Sequence, residues 1–161
     1  MPDSQPERDR TIRTRLVDAA IVVGISVLAA FGSGSRTWTG FNSPDSEFYA
    51  SLALFGSDVT DRSIDPAYTW TRLGYIAPVR LLVTSLDPWA GFALWRLLLI
   101  LLIVGSVYAI VRITSTRQLA VLTSAAAALN TVVLSFVGNS YLTGTILAAT
   151  CLLLALGVWG C

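Results

Sequence analysis

Between Ala90 and Cys161 the only ionisable side chains besides tyrosine and cysteine are Arg96, Arg112 and Arg117. A helix that faces water needs a charged or strongly polar stripe along one side, and this stretch has none to offer. Lipid-facing helices have the opposite requirement, a run of about 20 mostly apolar residues. Over the whole chain 54% of residues are hydrophobic and 13% charged, against roughly 25% charged in a soluble domain. Backbone polar groups in hydrocarbon must be satisfied within the segment that carries them, so the expected fold is all-α integral membrane.

About four transmembrane helices are expected. A tail over 1–15, polar and disordered over 1–11, precedes a first span over 16–31, with Asp18 seated near the inner interface. Asp87-Pro88 is a cap-and-start pair opening a second span over 89–111. Arg112 and Arg117 flank a short turn before a third span over 118–137. Gly138, Asn139 and Ser140 make a tight turn into a fourth span over 141–159. Arg8, Arg10, Arg13 and Arg15 stand directly before the first span, which places the N-terminus, and with it the C-terminus, in the cytoplasm. Residues 32–86 then form a long extracytoplasmic loop. A cleaved signal peptide, with Ala30 and Gly32 near the cleavage point, is a competing reading of the first span.

The same composition excludes several functions. All eleven basic residues are arginine, and the absence of histidine removes the commonest metal ligand and general base. A net charge of +1 with no basic stripe argues against nucleic acid as a partner. Cys151 and Cys161 read as small apolar residues. Ala120, Ser124 and Ala128 recur every four residues, as do Gly144 and Ala148, a spacing that lets membrane helices approach closely. Asn130, in the middle of the third span, is expected to make a helix–helix hydrogen bond.

Chemistry is confined to the long loop. It holds Asp45, Glu47, Asp58, Asp61 and Asp65, half of the acidic residues. Ser43-Pro44 starts a helix running to about Phe55, and a second short helix is expected over 75–86, broken or started at Pro78. Asp45 falls in the first turn of the Pro44 helix, on one face with Tyr49, while Glu47 points away from it. A carboxylate there stays ionised at neutral pH and could act as a base; it would equally stabilise the helix start through the dipole. A metal ion at Asp45 and Glu47 lacks ligands, and no cofactor is expected.

A basic start, a first span, an outer loop opening with the cluster "NSPDSEFYA", the segment "TRLGYIAPVRLL" and further apolar spans resemble the N-terminal part of GT-C-fold glycosyltransferases. These polytopic enzymes include protein O-mannosyltransferases, aminoarabinose transferases and actinobacterial arabinosyl- and mannosyltransferases. The resemblance implies an inverting transfer of a sugar from a polyprenyl-phosphate donor to an extracytoplasmic acceptor. It implies Asp45 as catalytic base and Glu47 and Tyr49 at the substrate. Arg72 and Arg80 would hold the donor phosphate, a role that arginine forks suit; snorkelling, or pairing with Asp58, Asp61 or Asp65, would occupy them equally. Arg96, near the outer end of its span, can reach the headgroups; an arginine early in this span is common in the family, so it reads as mainly structural, with a phosphate contact as the alternative.

The family's enzymes have more spans than this chain supplies. The resemblance therefore implies an N-terminal module, truncated or needing a C-terminal half or partner subunit, and too short to act alone. The alternative from another class is a small non-enzymatic polytopic protein whose outer loop binds a partner or envelope component. A transporter is disfavoured, because no span carries an acidic residue or an obvious proline break at midplane depth.

Overall fold

The computed structural model describes residues 4–32, 44–55, 73–138 and 142–160, all of them helical apart from the short turns that join helices. Among the described residues seven helices follow one another: α1 Ser4–Gly32, α2 Pro44–Phe55, α3 Leu73–Ser85, α4 Pro88–Thr114, α5 Arg117–Ala128, α6 Thr131–Gly138 and α7 Leu142–Gly160. Three contain stretches long and apolar enough to cross a membrane: Ile12–Phe31 in α1, Pro88–Thr114 in α4 and Thr143–Gly160 in α7. Their outward faces are those of a lipid-solvated protein, with Leu28 72% and Leu153 69% exposed. The chain is a multi-pass membrane protein.

Helix α4 is the axis of the bundle, and α1, α3, α5 and α7 pack around it. Its N-terminus is locally determined. Asp87 is extended, its Oδ1 accepts from the backbone N–H of Trp89 (3.0 Å) and Ala90 (3.2 Å), and Pro88 fills the first helical position, where no N–H is needed. Two residues, Ser115 and Thr116, turn the chain at the other end. The Thr116 hydroxyl accepts from Leu119 N–H to start α5.

Side chains pack in two clusters. The larger joins α1, α4, α5, α6 and α7 through Ala29, Ala30, Leu99, Ile100, Ile103, Val104, Ala128, Leu134, Val137 and Ala148. The smaller joins α2 and α3 to the start of α4 through Leu52, Ala53, Tyr75, Ile76, Val79 and Val83. Trp95 packs against both. The small-residue stripes lie at the contacts: Ala120, Ser124, Ala128, Gly144 and Ala148 are all buried, which lets backbones approach as lipid alone would not compel them to. Hydroxyls within the apolar helices fold back on their own turns, Ser26 Oγ donating to the Val22 carbonyl and Thr150 Oγ1 to that of Ile146 (both 2.8 Å).

Three local expectations change. Residues 4–11, read as part of a disordered tail, are helical and continuous with α1; Pro6 falls within the first turn, where a missing N–H breaks no helical bond. The expected continuous span over 118–137 is instead two helices separated by Leu129 and Asn130. Asn130 is exposed and makes no helix–helix bond; its Oδ1 accepts from Val132 N–H (2.9 Å) and Val133 N–H (3.3 Å), capping α6. A carboxamide that can end one helix and start the next competes effectively with helix continuation where no tertiary partner claims it.

Candidate functional site

The only elements described in the long connection are α2 and α3. Helix α2 starts at Pro44, so Asp45 and Glu47 lie in its first turn and Tyr49 in its second. The side chains of Asp45, Glu47, Phe48 and Tyr49 lie outside the described residues, as does Arg72. What is described is how their helix is held. Ala50, Leu52 and Ala53 are buried, and α2 packs on α3 against Tyr75, Ile76, Val79 and Val83.

Helix α3 is in turn clamped to the start of α4. A Cβ placed on Gly91 would lie 2.8 Å from both the backbone nitrogen and the Cα of Val83, so only glycine permits this approach. The Tyr75 ring meets Trp95 edge-on, with centroids 6.3 Å apart and planes at 74°, an arrangement that aromatic quadrupoles favour. Pro78 sits inside α3 without ending it. Its ring lies opposite the carbonyl of Gly74, the residue four earlier, which has no side chain and is exposed.

Two arginines flank this module differently. Arg80 is exposed on α3, free to meet headgroups or a phosphate. Arg96, two turns into α4, is 4% exposed. It lies inside the bundle, as a mainly structural residue can. Its depth in the span was legible; its burial was not. An intramembrane cation held inside a bundle is costly and marks a functional position more often than a lipid-facing one.

The other polar cluster lies at the opposite end of α4. Arg117 Nε stands 2.7 Å from Asp18 Oδ1, tying α5 to α1, and the Tyr108 hydroxyl of α4 lies beside the pair. An open cleft of about 490 Å³ runs past it, lined by Ile21, Arg117, Gln118, Val121 and Leu122. This cleft is remote from α2. Among the described residues, no group of three or more His, Cys, Asp or Glu side chains comes together as a metal set.

Comparison of the chain with family models, curated proteins and solved structures finds no match.

Proposed function

We propose that this chain is the N-terminal membrane module of an inverting glycosyltransferase that uses a sugar carried on a polyprenyl phosphate. In this reading α5 and α6, about 18 and 12 Å long, act end to end as a fourth crossing. The N- and C-termini are cytoplasmic, and residues 32–86 face the extracytoplasmic side of the cell membrane. The observation that carries the reading is the seating of α2 on α3 and the start of α4. A helix whose first turn holds two carboxylates is thereby seated on a packed platform at the end of a span, and Arg80 on α3 is exposed while Arg96 on α4 is buried.

The chemistry suits such a platform. Asp45 accepts the proton of an acceptor hydroxyl as that oxygen bonds to the anomeric carbon, and the bond from that carbon to the donor phosphate breaks on the opposite face. The configuration inverts, and polyprenyl phosphate leaves with the bonding pair. Arg72 and Arg80 contact the phosphate, where forked charge-assisted hydrogen bonds stabilise the leaving group. Glu47 and Tyr49 orient the acceptor. Positioning a general base contributes about 10²–10⁴-fold to such a step.

The test uses membranes containing the full chain, supplied with radiolabelled polyprenyl-phosphate sugars and compared with Asp45→Asn. Transfer that falls at least about 100-fold in the variant supports an autonomous enzyme with this base. No transfer from any donor by folded, inserted protein, alone or with a co-expressed partner subunit, rejects the reading.

A further inference from the structure

Irregular backbone within the hydrocarbon is tolerated where protein or a water-filled cavity covers it, and not where it faces lipid. The interruption at Leu129 and Asn130 is such a place. Its depth follows from packing: Ala128 before it and Leu134 after it belong to one cluster with Leu99, Ile100 and Ile103, at the middle of α4. Yet it lies on the surface. Leu129 is 66% exposed, and Asn130, Thr131, Val132 and Ser135 are exposed around it.

Hydrogen-bonding capacity is left over there. Asn130 Oδ1 accepts the N–H groups of Val132 and Val133, and the Leu134 N–H donates to the Asn130 carbonyl. Among the described residues, Asn130 Nδ2 donates to nothing, and the carbonyl of the exposed Leu129 accepts nothing. The patch thus presents donors and acceptors side by side, which makes it complementary to itself.

We propose that this interruption is the contact surface of a homodimer formed within the bilayer. The inference rests on the proposed fourth crossing by α5 and α6 and is independent of the transferase chemistry. Copies inserted in the same orientation can be related only by a two-fold axis along the bilayer normal, so equal depths meet. Asn130 of one copy then faces Asn130 and Leu129 of the other. Each Nδ2 donates to a carbonyl across the axis, and the second bond comes by symmetry. Below the break, Ala126 is exposed in line with Leu122 and Gln118, so no large side chain at that position holds the two helices apart. A partner of different sequence would have to bring its own matching donor and acceptor to this depth, whereas a second copy supplies them already.

Symmetric cross-linking in native membranes tests the proposal, with Cys151 and Cys161 replaced by alanine in the full chain. Leu129→Cys is expected to form an oxidant-induced disulfide dimer, and Leu153→Cys, equally exposed on α7, is not. Asn130→Ser keeps an oxygen to cap α6 but removes the amide donor. It is expected to lower the dimer association constant about tenfold or more, the loss of two interhelical hydrogen bonds, with the thermal melting of the protomer unchanged. Equal cross-linking at 129 and 153, a cross-link from 129 to a different protein, or indifference to Asn130→Ser would each overturn it.

Discussion

Arg117 at the start of α5 and Asp18 in α1 form an ion pair of 2.7 Å, with Tyr108 of α4 beside them. The contact links three helices, α1, α4 and α5. The Asp18 side chain is 17% exposed and that of Arg117 40%, so the pair lies between the surface regime, worth little, and the buried one, where a lone charge is expensive. Asp18→Asn is expected to lower stability in detergent by about 1–3 kcal/mol, read as a drop in melting temperature. Asp18→Arg combined with Arg117→Asp is expected to recover most of what either change alone removes. Independent, additive losses would show that the contact contributes nothing specific.

Gly91 gives a sharper expectation, because the atoms facing it cannot move aside. Its missing Cβ would meet backbone atoms of Val83, not the tip of a flexible side chain. Gly91→Ala is expected to destabilise by about 1–3 kcal/mol through overpacking and to loosen α3 and α2 from α4. Gly105, whose added Cβ would lie 3.8 Å from a Val22 methyl, is the control: Gly105→Ala is expected to be neutral or slightly stabilising, since alanine is the better helix former. Limited proteolysis of the 33–72 connection, compared between the two variants, reads the loosening directly.

The start of α4 depends on one carboxylate. Asp87→Ala is expected to lose about 0.5–2 kcal/mol and Asp87→Asn very little, because the amide oxygen can still accept from Trp89 and Ala90. Equal melting temperatures for the alanine and asparagine variants would show that Pro88 alone sets the helix start.

These cases show which parts of the molecule were legible in advance. Asp87-Pro88 was readable because capping is decided within four residues, and α4 begins where that pair stands; α2 likewise begins at the proline read as its first residue, Pro44. The stripe of Ala120, Ser124 and Ala128 was readable as a packing face because small residues at that spacing serve close approach. Asn130 was not. The residues around it include neither proline nor glycine, and an asparagine in an apolar run serves equally as an interhelical hydrogen bonder or as a cap. The choice between them depends on whether a neighbouring helix presents a partner, which is tertiary information. The burial of Arg96 was hidden for the same reason, since it depends on which elements pack around that part of α4. Of the candidate site, the helix bearing Asp45 and Glu47 was legible down to its first residue, and the platform beneath it was not.

The number of crossings can be decided by labelling cysteines from one side of the membrane. Ser85 and Thr114 bracket α4, whose 27 residues span about 40 Å, and both are exposed. Cysteines at these positions, with Cys151 and Cys161 replaced by alanine, should therefore react with an impermeant maleimide from opposite sides. Gly160, exposed at the end of α7, separates the alternatives. If α5 and α6 together cross the bilayer, residue 160 returns to the side of Thr114. If they fold back without crossing, α7 carries it to the side of Ser85. Four crossings are expected, because Ala128 and Leu134 pack at the middle of α4 and Val137 belongs to the same cluster, so the chain continues through the bundle beyond the break. Labelling of residue 160 with Thr114 would also place the interruption at Asn130 within the hydrocarbon, where its exposed amide needs a protein partner.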